Sequence, residues 1–334
     1  MLNLDNASID FGLLLPEIIL CVAGFAILLL GVSIRNRAIN LPLSVLALGL
    51  ALFFSVADWG NASTGFFGLV SKDSFSAIYN LIFLISGIIS LLIAKSYLES
   101  RGIDRPEFYA LILFSIVGMM IMASSFDLIV IFLGLEIMSI PLYVLAGFEK
   151  DNPKSNEASI KYFIMGAFAT GFLLYGIAMI YGAAGTTDLR IIAENFQTLK
   201  LASPLFIYTG AALALVGFAF KVAAVPFHMW APDVYEGAPT PVVAFLSVAS
   251  KAAAFAVVLR VLFTGFFDVA LDWGILIAGL AAASMVIGNL VAISQSNIRR
   301  LFGYSTISHA GYILVGVAAG VKSGDGIFKA PEFA

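Results

Sequence analysis

The chain has 334 residues, 61% of them apolar and 12% charged, with a net charge of −3. Soluble globular chains run at about 45–50% apolar and about 25% charged residues, so this composition excludes a cytosolic enzyme, a disordered chain and a nucleic-acid binder. With a mean hydropathy of +1.01 it describes a membrane protein.

A helix needs about 20 mostly apolar residues to cross roughly 30 Å of hydrocarbon. Ten such runs follow one another, at 13–33, 42–59, 76–95, 108–125, 127–147, 159–182, 204–230, 240–263, 273–294 and 302–321, joined by short loops. The predicted fold class is therefore all-α, a polytopic transmembrane helix bundle. The first run follows the acidic residues Asp5, Asp10 and Glu17 with no basic segment before it, and it is too long for a signal-peptide core, so it is expected to remain as an anchor. Alternate loops place Arg35, Arg37, Lys95, Arg101, Arg105, Lys150, Lys154, Arg299 and Arg300 on one side, against Lys72, Arg190 and Lys200 on the other. The positive-inside rule then puts the N-terminus outside the cytoplasm. Trp59 and Trp273, near span ends, are expected at the interfaces. Glycines inside spans, among them Gly166, Gly171 and Gly176 in one and Gly311, Gly316 and Gly320 in another, read as sites of close helix packing. The lone cysteine, Cys21, lies in an apolar run and reads as packing.

Four ionisable residues interrupt the apolar spans. Glu136 lies in IVIFLGLEIMSIPLYVL, Lys161 opens KYFIMGAFATGFLLYG, Lys221 follows LALVGFAF and Lys251 is central in VVAFLSVASKAAAFAVV. Each costs roughly 2.5–3.5 kcal/mol at the bilayer centre, on the order of 10 kcal/mol together, which a purely structural bundle has little reason to bear. Burial disfavours an ammonium and a nearby carboxylate favours it, so a lysine–glutamate pair can load and release a proton without a redox cofactor. The plainer readings are a static ion pair at Glu136 and, for Lys161, a side chain that snorkels to the headgroups.

The seventh span runs into Lys221-Val-Ala-Ala-Val-Pro226-Phe-His228-Met-Trp-Ala-Pro232-Asp-Val-Tyr-Glu236-Gly-Ala-Pro239-Thr-Pro241. Proline removes a backbone donor and clashes with the preceding turn, so the helix is predicted to break just after Lys221. Broken helices at membrane depth build ion sites in transporters. His228 sits beside the break, either as a proton relay or as a hydrogen-bonded interfacial histidine. In the tenth span Ser305, Ser308, His309 and Tyr312 fall at i, i+3, i+4 and i+7 on one predicted face, a hydrated stripe or a polar helix contact. There is no dinucleotide fingerprint, P-loop, HExxH or CxxCH, and two histidines eighty residues apart make a weak metal site, so no cofactor and no metal is expected in this chain.

The segments LEIMSIPLYVLAGF, GFLLYGIAMIYGAAGTTDL, ALVGFAFKVAAVPFHMWAPDVYEGAPTPVVAFLSVASKAAAFA and NIRRLFGYSTISHAGYILVG resemble the proton-translocating antiporter-like family, and within it the subunit N family of the proton-pumping NADH:quinone oxidoreductase, respiratory complex I. PDVYEGAPTP followed ten residues later by a buried lysine is the most diagnostic piece. The resemblance implies a mid-membrane charged axis of a helix-five glutamate and lysines on helices six, seven and eight, which maps onto Glu136, Lys161, Lys221 and Lys251. On this reading Lys221 and Lys251 hold transferable protons, Glu136 modulates Lys221, and His228 or Lys161 relays, with His309 as a further protonatable group. It also implies N-terminal helices one to three at 1–107, a first repeat of helices four to eight at 108–263, and part of an inverted second repeat at 264–334. NADH, quinone, FMN and iron–sulfur clusters would belong to partner subunits. The other membrane subunits of complex I would flank this one in a bacterial inner membrane, with a periplasmic N-terminus.

The family usually has about fourteen helices, and the sequence ends with VKSGDGIFKAPEFA where an eleventh would begin, so a truncated product that does not pump alone is expected. Two alternatives stay open: a subunit of a multisubunit cation/proton antiporter or membrane-bound hydrogenase, and a non-conducting membrane scaffold with its charges locked in pairs.

Overall fold

The computed structural model describes residues 9–33 and 37–322, with the backbone alone at 270–272 and 321–322. Asp5, Arg35 and the tail beyond 322 lie outside the described residues. Among the described residues ten helices are long and apolar enough to cross a membrane, as expected, and the protein is an all-helical, multi-pass membrane protein. The first two spans run from Phe11–Ser33 (α1, Leu15–Ser33) and Arg37–Ala57 (α2, Asn40–Ala57). Between the second and third spans comes a feature not foreseen from the sequence, a hairpin of β1 (Ser63–Gly65) and β2 (Val70–Lys72) paired antiparallel. It is tied to the end of the fourth span by the Ser71 N–H donating to the Ser124 carbonyl at 2.7 Å and the Ser125 hydroxyl donating to the Leu69 carbonyl at 2.9 Å.

The next spans are α3 (Ser74–Arg101), α4 (Pro106–Ala123), α5 (Leu128–Ala146) and α6 (Pro153–Ala184). Asp73 caps α3 through a capping box with Ser76, Gly102 ends it with φ of 69°, and Pro106 starts α4 where its missing N–H is no loss. Two short helices, α7 (Leu189–Glu194) and α8 (Phe196–Ala202), precede the seventh span, α9 (Pro204–Val222). The reading of 204–230 as one run is corrected here. The helix stops at Val222 and resumes as α10 (Trp230–Gly237), because Pro226 and its neighbours cannot continue the backbone ladder. The eighth span, Thr240–Gly265, is also not a regular helix: α11 (Thr240–Phe245) passes through a π-helical turn at Leu246–Ser250 into α12 (Lys251–Arg260) and a second π turn at Val261–Gly265. The last two spans are α13 (Ala270–Ile293) and α14 (Ile298–Lys322).

The chain forms two compact units. The first comprises Met1–Phe126, Val130–Ser159 and Ala238–Ala256. Within it α1 packs on α2 and α4, α2 on α3, and α11 on α3. The α4–α5 approach is set by glycine: a Cβ at Gly118 would sit 2.3 Å from the Met138 backbone nitrogen, and one at Gly134 2.9 Å from the Gly118 carbonyl. The second comprises Asp127–Ile129, Ile160–Gly237 and Val257–Ala334, with α13 packed on α14 and α10 on α14. Here α6 and α9 touch backbone to backbone at Gly176 and Gly210, where added Cβ atoms would come 2.6 and 2.8 Å from the opposing carbonyls. Packing thus explains Gly176 and Gly311, whereas Gly171 and Gly316 face open space. Trp273 is buried and donates its indole N–H to the Phe266 carbonyl at 2.9 Å, so it is a packed residue rather than an exposed anchor.

Candidate functional site

In the first unit Glu136 stands midway along α5. Its Oε1 is buried without a hydrogen-bond partner, and the helix carries Pro141 five residues on. That proline removes the donor the Ile137 carbonyl would otherwise meet, so the carboxyl adjoins a locally loosened backbone. Lys251 is only 7% exposed and follows directly on the π turn Leu246–Ser250. A π turn shifts the hydrogen-bond register by one residue and is frequent at functional sites. No periodicity in VVAFLSVASKAAAFAVV announces it, since the bulge inserts one residue into an otherwise regular apolar run.

In the second unit Lys221 is 5% exposed, the penultimate residue of α9, with its ammonium 5.8 Å from the centre of the Phe220 ring. The break beyond it is built, not slack. Ala223 takes a left-handed conformation at φ 60° that closes α9, its N–H meeting Phe220 O and the Ala224 N–H meeting Ala219 O. The Trp230 indole donates to the Phe220 carbonyl at 2.9 Å, and the Val225 N–H donates to Ser284 Oγ at 2.9 Å. Trp230 stacks on Tyr162 with ring centres 4.5 Å apart. Backbone groups freed by the break therefore find partners within the protein, as hydrocarbon requires. His228, in this connection, is half-buried. Burial pulls its imidazole below the ordinary value, with partial opposition from the Pro226 backbone.

Three residues that the sequence reading left out of the site emerge beside Lys161. Its ammonium donates to Asp233 Oδ2 at 2.7 Å, so it is paired rather than snorkelling. The other Asp233 oxygen accepts from Arg300 Nη1 at 2.6 Å, and the same nitrogen lies 3.2 Å from Glu236 Oε2. Burial alone would raise the Asp233 carboxyl, but the hydrogen bonds from Lys161 and Arg300 outweigh it and hold it below the usual carboxylate range. Asp233 and Glu236 lie in PDVYEGAPTP at i, i+3, on one side of α10, and that spacing was the available signal. Arg300, sixty-seven residues away, gave none.

His309 and the stripe around it divide. Ser308 is 2% exposed against Gly288, whereas His309 and Tyr312 are exposed, their rings edge to face at 5.6 Å, with Asn289 donating to the Tyr312 hydroxyl at 3.4 Å. Among the described residues no group of three or more His, Cys, Asp or Glu side chains is placed to hold a metal ion.

The model of the family NADH:quinone oxidoreductase/Mrp antiporter, TM matches residues 125–328. The NADH-quinone oxidoreductase subunit N of Trichlorobacter lovleyi is 47% identical over 319 residues, 95% of this chain and 66% of that protein. The fold matches a chain of respiratory complex I from Thermus thermophilus with a TM-score of 0.76 at 36% identity, covering 91% of this chain and 64% of that one. It also matches, in fold, the archaeal membrane-bound sulfane sulfur reductase complex, with a TM-score of 0.80 at 23% identity over 92% of this chain and 65% of that one. The fold is thus that of complex I and Mrp antiporter-like membrane subunits. The chain belongs to the NADH:quinone oxidoreductase/Mrp antiporter transmembrane family, in its NADH-quinone oxidoreductase subunit N branch. It spans about two thirds of the length of the curated relatives it matches.

Proposed function

We propose that this chain is a membrane subunit of a bacterial proton-pumping NADH:quinone oxidoreductase, and that it carries protons along Glu136, Lys161, Lys221, His228 and Lys251, with His309 as an outlying group. One observation supports the reading: Glu136, Lys221 and Lys251 each stand at a helix discontinuity. Glu136 neighbours the Pro141 gap, Lys221 the end of α9, and Lys251 the π turn. Such points let a buried group change partners without unwinding a whole helix. In this reading Lys221 and Lys251 hold the transferable protons, Glu136 favours the charged form of Lys221, and the Lys161–Asp233 pair with His228 relays towards one surface. The first repeat spans 108–263, helices one to three precede it, and 264–334 begins a second. The N-terminus faces the periplasm.

Moving one charge against 100 mV takes about 2.3 kcal/mol, so the driving free energy must come from quinone reduction in partner subunits, which also hold the FMN and iron–sulfur clusters. Lys221→Ala and Glu136→Ala, placed in the complete complex in sealed membrane vesicles, are expected to lower proton pumping per NADH oxidised. Pumping at the wild-type ratio in both variants refutes the assignment.

A further inference from the structure

Two clusters of side chains stand beside the proton carriers. In the first unit Ser55, Asp58, Lys72, Asp73 and Asn80 line a small pocket. Its carboxylates are already engaged, Asp58 by the Lys72 ammonium at 2.7 Å and Asp73 by the Ser76 N–H at 2.7 Å, so that cluster closes on itself. The other lies in the second unit, along α10, the eight-residue helix that follows the break. It touches residues adjacent to both Lys221 and Lys161, and so joins two groups that are sixty residues apart in the chain.

Trp230 opens α10. Its indole N–H donates at 2.9 Å to the Phe220 carbonyl, whose usual intrahelical donor, the Ala224 N–H, is turned to Ala219 by the break. The indole also leans on the Phe220 ring, with centres 5.6 Å apart, and the Lys221 ammonium lies 5.8 Å from the centre of that same ring. It stacks on Tyr162, the neighbour of Lys161, with centres 4.5 Å apart and planes 13° from parallel. All three rings are buried. One turn further along α10, Asp233 holds the Lys161 ammonium. The rest of α10 is fastened to α14, by Arg300 bonded to Asp233 and Glu236, by the Tyr235 hydroxyl donating to Thr306 Oγ1 at 3.2 Å, and by Gly303, where an added Cβ would come 2.8 Å from the Pro232 Cα.

A two-turn helix tied at so many points moves as a body rather than bending, so what displaces its first residue also displaces Asp233. We infer that Trp230 is a positioning residue that couples the two lysines: through Phe220 it answers to the state of Lys221, and through α10 it sets how firmly Asp233 holds Lys161. The physical link is the Phe220 ring. A charged Lys221 is attracted to the ring and steadies the end of α9, whereas a neutral Lys221 loses that attraction and frees the ring on which the indole leans. Asp233 then loosens its hold on Lys161. The coupling is reciprocal, as any linkage between two equilibria must be. Its use in proton transfer rests on the roles proposed above for Lys161 and Lys221, but the coupling itself does not.

Acylation of Lys161 by acetic anhydride in the complete complex, followed by mass spectrometry, tests this. The Lys161 side chain is 42% exposed and open to the reagent. An ammonium released from its carboxylate gives up its proton more readily and is acylated faster, and Asp233→Asn sets the rate of the released amine. Lys221→Met is expected to speed Lys161 acylation several-fold in an otherwise wild-type complex. The same substitution should have no such effect alongside Trp230→Phe, which keeps a ring but loses the N–H, or alongside Tyr162→Leu, which removes the stack on α6. These two variants cut different ties of the indole, so either one decides if the other does not assemble. A Trp230 that only packs would change Lys161 acylation by the same factor whatever stands at position 221. An equal effect of Lys221→Met with and without Trp230, or no effect of Lys221→Met on Lys161 at all, overturns the proposal. Because acylation does not measure pumping, this result stands or falls separately from the roles of Lys221 and Glu136.

Discussion

Asp233 accepts from Lys161 with one carboxylate oxygen, at 2.7 Å, and from Arg300 with the other, at 2.6 Å. One side chain on the short helix after the break thus joins α6 to α14. Half-exposed ion pairs are worth roughly 0–1 kcal/mol each, but Asp233 serves two partners and Arg300 two carboxylates, so the group should act as a network. Asp233→Asn is expected to lower thermal stability more than Lys161→Met. In a double-mutant cycle Lys161 and Asp233 should couple by about 0.5–1 kcal/mol. Additive effects on the inactivation midpoint would show that the contact contributes nothing.

The glycine contacts give a second prediction. Gly118→Val in the α4–α5 contact forces two backbones apart and is expected to cost about 1–3 kcal/mol or more, seen as reduced assembly of the complex. Gly171→Ala, in open space, should assemble at wild-type levels. Equal yields of both variants would contradict the packing described.

Ala223 holds a left-handed conformation that disfavours any side chain by roughly 1–2 kcal/mol. Ala223→Gly should therefore raise the thermal inactivation midpoint, and Ala223→Val should lower it. The reverse order would mean that the αL turn does not close α9.

The Val225 N–H has Ser284 Oγ as its acceptor in buried surroundings. Ser284→Ala strands that donor and is expected to destabilise by about 1–3 kcal/mol. Ser284→Thr, which keeps the hydroxyl, should recover part of the loss. Thermal inactivation of the three forms decides it.

His228 supplies a pH dependence with a definite sign. Its imidazole titrates lower in the fold than in the unfolded chain, so the fold binds fewer protons between the two values. Above about pH 6.5 both states are neutral and the residue has no effect, whereas on acidification through the lower folded value the native state loses stability. His228→Gln should flatten this acid-side decline in the inactivation midpoint. A wild-type profile identical to that of the glutamine variant would show that the imidazole does not titrate differently on folding.

The ten spans, the break after Lys221 and the buried lysines were all legible in the sequence, because hydrophobic length and proline chemistry act locally and hydrocarbon leaves the backbone few alternatives. The span ends moved by a few residues, as at Pro153 and Arg101, where polar side chains prolong a helix beyond its apolar stretch. The hairpin at 63–72 and the π turns at 246–250 and 261–265 escaped, since each is stabilised by neighbours rather than by its own residues. So did the network around Asp233, whose partners come from helices far apart in sequence, and the Ser55–Asn80 pocket, whose members look individually like ordinary polar residues at span ends. What the sequence settled alone is what length, apolarity and proline dictate one segment at a time. Which buried charge meets which partner, and which polar side chains come to line one pocket, was decided only when the helices packed, because those energies depend on distance and burial rather than on order along the chain.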